Sequence, residues 1–320
     1  MAFPYTQRES ASLDEMLSDA KDNVFKARPS IEMFLKKGIR KHFGLNLRVP
    51  LKSANSGNAQ KYANYDILSS VPSTNIRAAQ YKMYNRKDAL QISGDEWREN
   101  QGSPGKVDLL MAKVEIMKDS IADSLAGDLF ADSDGLAGEP LGLARVCKAS
   151  GAVGSIAASD LTNWDPNLDG SSTALTLQLL QGLIRKCWVR GAKVKNQVIL
   201  TRPSVLDKIS AGLLGTTVMR IPEKDHVMFG YTDVSVLGIP VIMDENVPGT
   251  DGGNDTNDLY IVDLDSYKYY VHPEQNMKIL DFTPIIRDQD VIERQIRHSG
   301  QWVCDARWRH GGFLNLDPNE

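Results

Sequence analysis

The 320-residue chain is short of most features that announce a chemistry. Its three cysteines, Cys147, Cys187 and Cys304, are odd in number, far apart and free of CxxC spacing, which argues against a disulfide framework and a zinc site and leaves buried free thiols. The five histidines, His42, His226, His272, His298 and His310, show no HExxH or other ligand spacing. No GxSxG elbow occurs, and the glycines from Gly135 to Gly142 lack the GK[ST] ending of a phosphate-cradling loop. No apolar run is long enough to span a bilayer, and the opening MAFPYTQRESASLDE has no apolar signal region, so a cytoplasmic origin and no membrane partner are expected. Positive charge is not in excess either. A formal net charge of -4 and a pI of about 5.8 exclude strong nucleic-acid binding across the whole surface. The sequence therefore assigns no catalytic residue, no cofactor-binding residue and no metal ligand.

What is present is an ordered chain, 42% hydrophobic, with enough apolar content to bury a core. Ser12 and Glu15 form a capping box, and Leu13, Met16, Leu17, Ala20 and Val24 follow at helical spacing. A second short helix is expected from Ser30 to about Gly44 on the stripe Ile31, Phe34, Leu35 and Ile39, after the break that Arg28-Pro29 imposes. From Ser53 to Gly102 the chain is polar, with strand-like pieces Ile76 to Tyr84 and Ala89 to Ser93 around the turn-prone Asn85 to Asp88. That reads as a long hairpin without its own core. A two-stranded ribbon is marginal alone, so it should rest on its own subunit or on a neighbour.

Ser103-Pro104 opens a long helix whose stripe is Val107, Leu110, Met111, Val114, Met117, Ile121 and Leu125. Run to Phe130 it would reach roughly 39 Å at 1.5 Å per residue. Beyond the glycine-rich connector Asp134 to Val146, helices around Leu175 to Ile184 and Pro203 to Leu213 alternate with strands at Val198 to Leu200, Val234 to Leu237, Pro240 to Met243, Leu259 to Asp263 and Tyr267 to Val271. This is an α+β unit. Met277 to Ile286, Val291 to His298 and Gln301 to Arg309 read as long strands, the last two joined by a Ser299-Gly300 turn. In the last of these, Trp302, Cys304, Ala306 and Trp308 should be buried against the long helix while Val303, Asp305, Arg307 and Arg309 face outward.

Two features hint at ligands. The oxygen-rich loop Asp251 to Asp258 lacks the closing Glu of a calcium loop and reads first as a solvated turn; a metal-dependent hydrolase on Asp251, Asp255 and Asp258 is the weaker alternative. Basic residues cluster weakly at Lys36, Lys37, Arg40, Lys41 and His42, and at Arg294, Arg297, Arg307 and Arg309, which suits a solvated or intersubunit face.

Taken in order, the connector Glu139 to Leu143, the step VILTRPSVLDKI, the stretch LGIPVIMDENVP from Leu237 to Pro248 and the closing RQIRHSGQWVCDARW resemble the major capsid proteins of tailed bacteriophages, the Hong Kong 97-like capsid fold. The resemblance implies an α+β subunit of four parts: an N-terminal arm (1–52), an extended loop (53–102), a peripheral domain (103–140 with 272–320) built on the long helix, and an axial domain (141–271). It implies a structural protein and not an enzyme, located in the virion after assembly in the host bacterial cytoplasm. Its partners would be copies of itself in pentamers and hexamers, a separate scaffolding protein, a portal protein and packaged double-stranded DNA held without sequence specificity, with room for a decoration protein. Lys82 and Lys87 fall in the extended loop, where some relatives are cross-linked, but nothing beside them identifies a bond partner. An encapsulin-like nanocompartment shell around a cargo enzyme is the alternative on the same fold.

Overall fold

In the computed structural model the described residues are 28–37, 39–66, 70–72, 75–95, 109–136, 138–161, 163–169, 175–214, 234–249, 257–284 and 291–316. The expected helix at Ser12 to Val24, the helix start at Ser103-Pro104 and most of the Asp251 to Asp258 loop lie outside them. In chain order come a short arm helix (Pro29–Lys37), β1 (Arg40–Lys41), β2 (Asn46–Lys52), β3 (Ile76–Lys82), β4 (Tyr84–Ser93) and the long helix (Leu109–Leu129). A single turn of helix (Leu143–Val146), β5 (Ala152–Val153), β6 (Ile156–Ala157) and β7 (Asn167–Asp169) lead to a helix at Leu177–Val189, β8 (Gln197–Thr201) and a helix at Pro203–Leu214. The remaining strands are β9 (Ser235–Val236), β10 (Ile239–Met243), β11 (Asn257–Asp263), β12 (Tyr267–Val271), β13 (Lys278–Pro284), β14 (Val291–Cys304) and β15 (Gly311–Leu316).

Two sheets organise these elements. The first runs β1-β12-β14-β13, with β4 on the other edge of β14; the second runs β7-β15-β11-β8-β10-β9. The long helix packs its stripe Val114, Met117, Ile121, Leu125 and Leu129, all 4% exposed or less, into the core of the first sheet, as the periodicity requires. On that sheet Tyr267 stacks on Trp302 with centroids 5.3 Å apart, and Phe34 of the arm helix meets both rings edge-on at 5.6 and 5.2 Å. The second sheet has its own core, where Leu180, Leu183 and Ile184 of one helix and Val205 and Ile209 of the other pack with Ile199, Leu259, Ile261 and Phe313.

Several expectations give way to non-local pairing. Asn85 to Asp88 is not a turn but the interior of β4, paired from Asn85↔Ser299 to Asp88↔Ile296. The chain changes partner at Met83: β3 pairs with β2 and β4 with β14. Ser299-Gly300 is likewise not a turn, because β14 runs unbroken from Val291 to Cys304. Gly300 is needed there for clearance, since a Cβ would collide with the Tyr269 ring. The strand ends at Cys304, and 307–309 form a 3-10 turn. Val303 and Arg307, expected outside, are 2% and 0% exposed because connector segments cover that side too. The arm helix stops at Lys37, leaving Leu35 and Ile39 exposed, because the chain turns extended to pair β1 in parallel with β12. The sequence pattern predicts no strand at 311–316, where β15 joins β7 to β11.

Trp302 sits at the junction of arm helix, β12 and β14. Trp302→Ala should lower unfolding stability by about 3 to 5 kcal/mol, with Trp302→Phe costing less; chemical denaturation of the soluble subunit followed by far-ultraviolet circular dichroism measures both.

Candidate assembly surfaces

Among the described residues, the side chains that a catalytic reading would need are scattered or engaged in holding the fold. Among the described residues no group of three or more His, Cys, Asp or Glu could hold a metal ion. Asp258 accepts from the Tyr260 hydroxyl at 2.6 Å and from the Asn315 backbone N–H at 3.0 Å, tying β11 to β15; Asp251 and Asp255 lie outside the described residues. The three cysteines are free and wholly buried, and burial pushes the Cys187 thiol up to about 12 and those of Cys147 and Cys304 higher still, so none is an activated nucleophile.

Buried polar groups instead fasten segments together. Gln301 donates its amide to the carbonyls of Lys82 (2.7 Å), Gly135 (3.1 Å) and Glu139 (3.1 Å), and its Oε1 accepts from the Leu141 N–H at 3.0 Å. Arg307, fully buried, donates to the carbonyls of Val146 (3.0 Å), Gly151 (3.2 Å), Arg145 (3.3 Å), Lys148 (2.5 Å) and Trp164 (3.5 Å). Together the two clamps fix the glycine-rich connector and the segment from Arg145 to Trp164 onto the C-terminal strands.

Two histidines that no motif singles out are buried nearby, His298 in β14 and His310 just before β15. His298 Nε2 lies 2.6 Å from the Tyr269 hydroxyl, across from Arg86, which pairs with Asp128 of the long helix; burial, and secondarily Arg86, lowers His298 to about 4. At His310 the Asp263 N–H donates to Nδ1 at 3.2 Å, which leaves the proton on Nε2, 3.3 Å from Ser266 Oγ; burial, with Arg309 and Arg307, lowers it to about 3.

The stretch LGIPVIMDENVP folds as its residues dictate. Leu237 and Gly238, with φ of 53° and 79°, make the two-residue turn that joins β9 to β10. After β10, Asp244 Oδ1 accepts from the Asn246 N–H at 2.9 Å, and Arg202 donates to the carbonyls of Glu245 (3.1 Å) and Val247 (2.9 Å). Val247 is thereby 1% exposed.

The exposed apolar side chains are concentrated elsewhere. The ribbon of β2 and β3 pairs from Asn46↔Lys82 to Lys52↔Ile76, and its base lies on this same subunit: Leu47, Leu51, Ala79 and Tyr81 are buried, the Tyr81 hydroxyl donates to the Cys304 carbonyl at 2.6 Å, and Gln80 N–H donates to the Gly154 carbonyl. Beyond that base the described residues of 53–75 have no such support. Tyr62, Tyr65, Val71 and Ile76 are 68% to 102% exposed, and Phe43 and Leu45, just before the ribbon, are 74% and 65% exposed. Four large apolar side chains at and beyond the far end of the ribbon, Tyr62, Tyr65, Val71 and Ile76, form an interaction surface.

The pH dependence of stability rests on the two histidines. Each is neutral in the fold and would protonate more readily in the unfolded chain, so their contribution is complete above about pH 6.5. It is lost as the pH falls through about 4 for His298 and about 3 for His310. Melting temperature should therefore hold between pH 7 and 8 and drop steadily below pH 6, and a His298→Gln variant should show a shallower acid slope.

No protein-family model matches the chain, and no curated protein does. Solved structures do. The capsid asymmetric unit of cyanophage A-1(L) superposes with a TM-score of 0.69 at 17% identity, covering 93% of this chain and 95% of that one. The capsid of a native GTA particle gives 0.64 at 12% identity with 96% of each chain covered, and the holo-SrpI encapsulin complex from Synechococcus elongatus gives 0.62 at 12% with 94% of each. End-to-end coverage at such low identity means that the arrangement of elements is shared while the residues are not: this chain has the Hong Kong 97-like fold of phage capsid subunits.

Proposed function

We propose that the chain is the major capsid protein of a tailed bacteriophage, self-assembling into the icosahedral shell that encloses the genome. The observation that carries this reading is the projecting ribbon with its bare apolar tip, on a fold shared from end to end with capsid subunits. Apolar surface left open in one subunit is closed by its neighbours, and repetition under closed symmetry makes a particle from contacts that are modest singly. The role is structural. The reading carries with it pentamers and hexamers of the subunit, a separate scaffolding protein, a portal, and packaged DNA held without sequence specificity, after assembly in the bacterial cytoplasm.

The four-part division into arm (1–52), extended loop (53–102), peripheral domain (103–140 with 272–320) and axial domain (141–271) belongs to the same proposal. Two pairings cross the proposed borders: β12 hydrogen-bonds to β14 in the sheet under the long helix, and β15 to β11 in the other. The encapsulin likeness supports a second reading, a nanocompartment shell around a cargo protein. Negative-stain microscopy of the purified chain, with scaffold coexpressed, should show closed particles. A monodisperse monomer under all assembly conditions overturns both readings, and a particle that copurifies with one host enzyme and no packaged DNA decides for the second.

The ribbon tip gives a sharper test. Replacing residues 54–74 by Asn-Gly closes the strands where Ser53 N–H already meets the Asn75 carbonyl at 2.8 Å. That variant should melt as the wild type does yet yield no particles by sedimentation.

A further inference from the structure

The basic residues of the arm, weak as a cluster in the sequence, become part of a larger face once folded. Parallel pairing of β1 with β12 sets Arg40 opposite Tyr270 and Lys41 opposite Val271. Lys37 reaches across to Asn196 Oδ1 at 3.2 Å and to Asp265 at 3.7 Å, which brings the 3-10 turn carrying Lys195 alongside the arm. Between these elements opens a cavity of about 70 Å³, walled by Phe34 and Tyr267 and lined at its charged side by Lys37, Arg40, Lys268 and Asp265. Three cations thus face one carboxylate there. Lys37 is held by Asp265 and Lys268 donates to Asp305 at 2.7 Å, whereas Arg40 makes no side-chain bond among the described residues. The cavity has the size and charge for one carboxylate or phosphate.

The exposed apolar side chains of the arm, which carries Lys37 and Arg40 into the cavity wall, decide between those ligands. Leu35, Ile39, Phe43 and Leu45 are 37% to 74% exposed and alternate along the arm with its cations. A phosphate backbone offers nothing apolar to cover them, so an acidic segment with apolar side chains fits this face and duplex DNA does not. The chain itself contains such a segment. From Glu9 to Asp22 the sequence holds five acids, Glu9, Asp14, Glu15, Asp19 and Asp22, against one base, Lys21, with Leu13, Met16 and Leu17 between them. We propose that residues 9–22 dock on this basic and apolar face, with a carboxylate of the segment in the cavity against Arg40. The inference does not depend on the shell reading.

The full-length chain carrying Ser18→Cys and Ile39→Cys tests it under mild oxidation with copper phenanthroline. The native thiols are wholly buried and give no background. The expected result is a disulfide: a covalent dimer or ladder on a non-reducing gel when the segment comes from another copy, an intact-mass loss of two hydrogens in the monomer when it comes from the same one. Adding Arg40→Glu should reduce cross-linking at least tenfold, and Asp19→Lys on top of it should restore a substantial part. Raising salt from about 0.05 to 0.5 M should slow the reaction as screening predicts. Cross-linking no greater than in single-cysteine controls, or unchanged by Arg40→Glu, overturns the proposal. So does the case in which Arg40→Glu strips nucleic acid from particles that never cross-linked, since the face would then be a nucleic-acid surface. Particle formation, scored separately by sedimentation, tells failure of this docking from failure of the shell reading.

Discussion

A guanidinium taken wholly out of water costs several kcal/mol unless its donors all find acceptors, and Arg307 meets that condition with five backbone carbonyls from residues 145 to 164. The constraint propagates. Those carbonyls must converge on one point, so the segment after the connector can take only one path across the C-terminal strands. Gly151, at φ 100°, sits where a Cβ would strike the Arg145 guanidinium, and Gly142 where one would strike the Ala131 carbonyl. Gln301, near the end of β14, repeats the device, gathering the connector and the end of the ribbon. The two sheets are thus joined by backbone held on buried side chains, and not only by apolar contact.

This joint explains how one subunit can be rigid at its centre and incomplete at its edges. The ribbon leaves the body at Tyr81, whose hydroxyl is anchored on Cys304, keeps one apolar face buried as far as Leu51, and is without such support only beyond its last pair, Lys52 with Ile76. A ribbon of this kind is stable only while something covers it. Its base is covered by the subunit, and its tip is the part that a neighbour must cover. The arm shows the same division, with Ile31 and Phe34 buried inside and Leu35, Ile39 and Phe43 left outside.

Local information suffices for some elements and fails for others. The stripe on the long helix, the two helices of the second core and the strand at 197–201 all lie where spacing puts them. Asn85 to Asp88 and Ser299-Gly300 do not behave as turns. Both lie inside the β4–β14 ladder, where Asn85 pairs with Ser299, and each ladder hydrogen bond made there contributes about 0.5 to 1.5 kcal/mol, which together exceeds any local turn preference. The arm's basic face was half visible, because Lys36 to Lys41 are adjacent in sequence whereas Lys195 and Lys268 join them only through the fold.

By itself the sequence determined the elements whose cause lies within a turn or two of chain: helical stripes of period 3.6, the cysteines that have no partner, and the order of parts that resembles a capsid subunit. Only the tertiary structure decided which strand pairs with which, that β14 is one continuous strand, that Val303 and Arg307 are buried, and which apolar residues stay open for another molecule. Those outcomes rest on contacts between residues far apart in the chain, such as Tyr81 with Cys304 and Arg307 with Val146. Local propensity carries no record of such pairs, since the entropy of closing each loop is offset only when the whole set forms together.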